Sequence, residues 1–100
     1  MRRSVDEIVI ALCADYERRE AAIRDHTVTH RTEMEYRYLN YRIYSATTDV
    51  VGAELAVEYI REIGERTGYA KSRTALSERT YKEVKREVKS AIAKNLHLID

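Results

Sequence analysis

Arg79, Lys82, Lys85, Arg86 and Lys89 follow one another at steps of one or three residues, in a stretch that opens with Ser77 and Glu78 and includes Thr80. On an α-helix, at 3.6 residues per turn, positions 79, 82 and 86 fall on one side. Cations gathered along one side of a helix suit a polyanion. The major groove of duplex DNA admits a helix, and residues near its N-terminus then meet base edges. Arg79, Lys82 and Arg86 are the candidates for that face. Glu78 and Glu83 can accept from cytosine amino groups or damp nonspecific attraction. Ser77, Thr80 and the first helical amides are natural phosphate donors. Lys71, Arg73, Lys85 and Lys89 are candidates for backbone phosphate contacts. The alternative is an ordinary solvated face, because alternating Lys and Glu is common helix-surface composition.

Other residues with chemical potential carry weaker patterns. His26 and His30 are four apart, and Glu33 lies three beyond. Zinc needs three or four well-placed ligands, so exposed loop histidines are expected here and no metal site. Tyr36, Tyr38, Tyr41 and Tyr44 interleave with Arg37 and Arg42. Their helical spacing points to packing or a dimer surface rather than to base stacking. Cys13 sits in the apolar run from Ile8 with no basic neighbour to activate it, and is expected to be a buried, inert thiol. There is no Gly-rich phosphate loop, no nucleophile elbow and no carboxylate pair in an apolar setting. Catalysis and a bound cofactor are therefore not expected.

The elements that must hold these residues follow from composition. One hundred residues make one domain, with 44% apolar and 35% charged residues. Proline is absent and there are three glycines, which leaves little to build the turns of a β architecture. The expected fold is all-α, a small domain of about four helices. No apolar run is long enough for a membrane span, and the acidic residues after Cys13 do not fit a signal peptide, so a cytoplasmic location is expected. The net charge of +1 divides unevenly. Between Arg66 and Lys94 there are nine basic and three acidic residues, +6, leaving −5 on the remainder. Residues 1–66 read as a helical scaffold and dimerisation part, and 67–100 as a helix-turn-helix-like part.

Ser4-Val5-Asp6-Glu7 has the form of a capping box, and the periodicity behind it predicts a helix from about Val5 to Arg24. His26 to His30 reads as a loop or a helix junction. Thr32-Glu33-Met34-Glu35 reads as a second capping box, opening a helix with two apolar stripes. One is Tyr36, Leu39, Ile43 and Ala46; the other is Met34, Tyr38 and Tyr41, so this helix should be covered on more than one side. Thr47-Thr48-Asp49 reads as an interruption, with Asp49 capping a third helix that ends near Gly68, although the two helices can also run together through Gly52. Tyr69 to Ala75 is ambiguous, with room for one or two turns. For the last helix Ser77 is the N-cap. Leu76 and Tyr81 are placed for a hydrophobic staple, and Tyr81, Val84, Val88, Ile92 and Leu96 form the apolar stripe.

The stretch from Leu76 to Leu96, with His97-Leu98-Ile99 after it, resembles the C-terminal end of the RinA/ArpU-type phage transcriptional regulators. The resemblance lies in the Leu-Ser-x-x-Thr-Tyr start and the Ala-Ile-Ala-x-x-Leu finish, with His97 standing where that pattern has a glycine. It implies a helix-turn-helix similar to region four of sigma factors, promoter DNA as partner, and contact with a host RNA polymerase. It also implies that Ser77, Glu78, Arg79, Thr80, Lys82 and Arg86 face the DNA. A homodimer would double the contacts. The competing expectation is a non-catalytic phage module that docks on a host protein through the acidic or the tyrosine-rich face.

Overall fold

The computed structural model describes residues 1–100 and contains five α-helices and no strand. They are α1 (Arg3–Ala14), α2 (Tyr16–Asp25), α3 (His30–Val51), α4 (Ala53–Gly64) and α5 (Glu78–Asn95), with a single 3₁₀ turn at Tyr69–Lys71. The fold is all-α, as composition predicts. The fifth helix arises because the expected first helix is broken at Asp15.

Each helix turns one apolar stripe inward, and the stripes meet in a single core. Val9, Ile10 and Cys13 come from α1, Tyr16 from α2, Ile43 and Ala46 from α3, Tyr59, Ile60 and Ile63 from α4, and Tyr81, Val88, Ile92 and Ala93 from α5. The C-terminal helix is thus built into the same core as residues 1–66. It packs chiefly on α3, with α1 and α4 on its flanks. Arg42 of α3 and Asn95 of α5 clasp that contact, guanidinium to side-chain oxygen at 2.8 Å and side-chain amide to backbone carbonyl at 3.3 Å.

Several boundaries differ from expectation. Arg2, not Ser4, stands at the N-cap of α1, and it makes no side-chain cap. Helix α3 begins at His30 with Thr29 as its N-cap in place of Thr32, because Thr29 Oγ1 accepts from the Thr32 amide at 3.2 Å. Asp49 caps nothing. Helix α3 continues past it to Val51 and stops where Gly52 takes φ 86°, a left-handed conformation that favours glycine. Helix α4 ends well before Gly68, in a Schellman motif whose left-handed residue is Arg66 (φ 56°). The Thr67 amide donates to Glu62 O and the Arg66 amide to Ile63 O. The first stripe of α3 faces the core, but Met34, Tyr38 and Tyr41 are uncovered.

Where the chain turns from α1 into α2, Arg19 is buried, with 3% of its surface exposed. Its Nη2 donates to the Leu12 carbonyl freed by the break, and its Nε donates to Asn40 Oδ1, both at 2.6 Å. Asn40 in turn donates to Tyr16 O at 3.0 Å. A buried polar group needs such partners, and here they tie three helices together. Burial lowers the Arg19 pKa from its ordinary value.

Burial pushes the Cys13 thiol up from 9.0 to about 12, and the Tyr16 and Tyr81 phenols up from 10.0 to about 12. Ionisation is easier in the unfolded chain, so the stability tied to these groups is complete below pH 9. It is lost as pH rises towards about 12. The melting midpoint should therefore fall between pH 9 and 11, and Cys13 should resist thiol reagents at pH 8 until the chain unfolds. A thiol that reacts in native protein at the rate of a free cysteine would contradict this burial.

Candidate nucleic-acid interface

Ser77 starts α5 as the sequence predicts. Its backbone is extended, and Ser77 Oγ accepts from the Thr80 amide at 3.3 Å while donating to Thr80 Oγ1 at 3.0 Å. The Ser77 hydroxyl hydrogen is thereby taken up by Thr80, whose own hydroxyl only accepts in this contact and keeps its hydrogen free to donate. The uncapped amides of the first turn add further donors at the same end. Leu76 and Tyr81 flank the start at the staple positions, and Tyr69 Oη fixes the approach by donating to Leu76 O at 3.0 Å.

With Tyr81, Val88 and Ile92 directed inward, helical geometry places Lys82, Arg86 and Arg79 within one outward arc of about 60°. All three are exposed, and no other element covers them. Arg79 pairs with Glu83 at 3.3 Å and Lys82 with Glu78 at 3.1 Å, both i,i+4 contacts on the same helix. Exposed pairs of this kind are worth about 0.3–0.5 kcal/mol, little enough for a phosphate to displace. Arg86 has no ion pair within α5 or beyond it. Lys71 and Arg73, on the connection before α5, are exposed as well.

Lys85 and Lys89 do not stand free as expected. They lie on the flanks of the core stripe rather than on the outer arc. Lys85 Nζ donates to the Thr67 carbonyl at 2.7 Å and lies 5.1 Å from the centre of the Tyr81 ring. Desolvation holds its pKa below the ordinary lysine value. Lys89 Nζ is 2.8 Å from Asp6 of α1. Nearby, Arg66 pairs with Glu7. The acidic N-terminal part therefore neutralises the flank of α5 and leaves the outer arc alone. Lys82, Lys85, Arg86 and Lys89 still line a shallow depression of about 240 Å³ to which no other side chain contributes.

The segment that precedes α5 differs from a helix-turn-helix support. Only the turn Tyr69–Lys71 is helical there, and residues 72–76 are irregular. Comparison with protein-family models, with curated proteins and with solved structures finds no match.

The remaining constellations are dispersed. His26 ends α2 in a left-handed conformation and its Nδ1 lies 2.9 Å from Glu33 Oε1, which lowers the Glu33 pKa; Arg37 adds to that effect. His30 opens α3 as an exposed residue. No three His, Cys, Asp or Glu side chains converge as metal ligands would. No helix is long and apolar enough to cross a membrane. The helical pattern places Arg19 on a solvated face of the first helix beside Arg18, but the structure buries it against Asn40, which no sequence pattern singles out. Arg19 sits in a segment dominated by charged residues, and only the break at Asp15 brings it inward.

Proposed function

We propose that the protein binds duplex DNA through α5, with Arg79, Lys82 and Arg86 towards the groove and Lys71 and Arg73 towards the phosphate backbone. One observation carries the reading: the three outer cations share an uncovered arc, and their only ion-pair partners are weakly held glutamates of the same helix. The N-terminal amides of α5 add anion-binding capacity at the same end. The resemblance of residues 76–99 extends the proposal to a transcriptional regulator of phage or prophage type, with host RNA polymerase as a second partner and a homodimer as the binding form.

With each of the five cations neutralising one phosphate at or beside the groove, the salt slope is about −4.5, so affinity for a duplex should drop about 500-fold between 50 and 200 mM salt. A titration against the DNA upstream of the coding region, at both ionic strengths, tests this. A slope near zero would remove the reading.

The exposed Met34, Tyr38 and Tyr41 on the outward side of α3 favour a second reading, a protein-interaction module that docks on a host protein. An apolar interface of that kind should be nearly indifferent to salt.

A further inference from the structure

Between α4 and residues 72–76 lies a cavity of about 330 Å³, away from the outer arc of α5. Leu55, Tyr59, Ala75, Leu76 and Tyr81 supply most of its wall, and Leu55 and Leu76 are large apolar residues left exposed at its mouth. Glu58 and Glu62 project into the same space from successive turns of α4. Neither takes part in an ion pair, although ten such pairs decorate the rest of the molecule. Glu62 accepts a hydrogen bond from the buried Tyr81 hydroxyl, which fixes its carboxylate at the cavity wall. The Tyr59, Tyr69 and Tyr81 rings stack in a tilted row behind it, with centroids 6.1 and 5.8 Å apart. Arg73 is the one cation among the lining residues, and its side chain is exposed.

Apolar walls with a few oriented polar groups define a small-molecule site, and the volume is at the small end of the usual range. Lys85 lies near enough to Glu62 to be stabilised by its charge, but no cation pairs directly with either carboxylate. Carboxylates partly withdrawn from water and so unpaired favour a ligand that brings a cation. We infer that this cavity binds a compact organic cation, an ammonium group carried on a ring-sized apolar body. The ammonium lies between Glu58 and Glu62, and the body lies against Leu55, Leu76 and Tyr59. The inference does not rest on DNA binding, although Arg73 borders both surfaces.

Three probes of nearly equal shape test it: phenethylammonium, 2-phenylethanol and 3-phenylpropanoate, followed by amide chemical shifts in the full chain. Phenethylammonium is expected to shift residues 55–62 and 72–76 saturably, with a Kd of about 1 mM or tighter. The alcohol should bind at least about fivefold more weakly and the carboxylate not at all. Glu58→Gln, which leaves the Tyr81 contact intact, should bring the cation down to the level of the alcohol, and Glu62→Gln should do the same. Leu76→Ala should weaken cation and alcohol alike. Equal binding of cation and alcohol, cation binding unaffected by Glu58→Gln, or no saturable shift at residues 55–62 would each overturn the assignment.

Discussion

Gly64→Ala is expected to destabilise the protein by about 3 kcal/mol, the upper end of the usual cost of overpacking. Gly64 closes α4, where its missing side chain lets the backbone of α1 come close. A Cβ there would lie 2.6 Å from the Ala14 nitrogen, 2.7 Å from its Cα and 2.8 Å from the Cys13 carbonyl carbon. These are backbone atoms, so relief requires the two helices to separate, and Ile10, Cys13, Ile60 and Ile63 separate with them. Alanine's better helix propensity returns only about 1 kcal/mol. In a domain of this size, 3 kcal/mol corresponds to a melting point about 12–24 °C lower. Gly68→Ala is the control, since nothing lies within 4 Å of its added Cβ and its φ of −82° is ordinary. It should be neutral or slightly stabilising. If both variants melt with the parent protein, the close approach of α1 and α4 is wrong.

That approach shows where sequence pattern stops being informative. The apolar stripes of α1, α4 and α5 are legible, because burial imposes a three- and four-residue period whatever the neighbours are. Glycine spacing shows none of this. Gly68 looked like the terminator of α4, yet Arg66 takes the left-handed position and Gly64 serves the packing. Three helices end in Schellman motifs whose left-handed residue is not glycine: His26, Arg66 and His97. Histidine tolerates that region better than most residues, and Arg66 gains an ion pair with Glu7. His97 thus occupies the conformation that a glycine would normally take. The break at Asp15 was equally hidden. No glycine or proline marks it, and the carbonyl it frees, that of Leu12, is satisfied by an arginine seven residues further on.

Threonine misled the reading in both directions. Thr29 and Thr32 are each acceptable caps, and propensity cannot choose between them. The choice fell to Thr29 because α3 gains a turn by starting there. Thr47 looked like an interruption, but its hydroxyl donates to Ile43 O at 2.8 Å, so it is satisfied within the helix and sits fully buried. On α5 the sequence placed Arg79, Lys82 and Arg86 correctly on the outside, because the stripe from Tyr81 to Leu96 leaves them no other side. It could not separate Lys85 and Lys89 from that group. Their engagement depends on Thr67 and Asp6, which only the tertiary fold brings near.

This separation within one row of cations makes the second large effect specific. Arg79→Ala combined with Arg86→Ala should weaken duplex binding by at least about 100-fold, as expected when two arginines that meet bases or phosphates are removed. The salt slope should fall by about 2. Both side chains are on the surface, so the melting point and helicity should stay near those of the parent. Arg24→Ala with Arg31→Ala removes the same charge from exposed positions on α2 and α3, away from α5. It should change affinity by less than about threefold, since surface charges beyond a Debye length of about 10 Å are largely screened at 0.1 M salt. Lys89→Ala should behave in the opposite manner, losing stability with the Asp6 contact while keeping most of the affinity. If the two double variants weaken binding equally, the duplex responds to net charge alone and the outer arc of α5 is not the surface it meets.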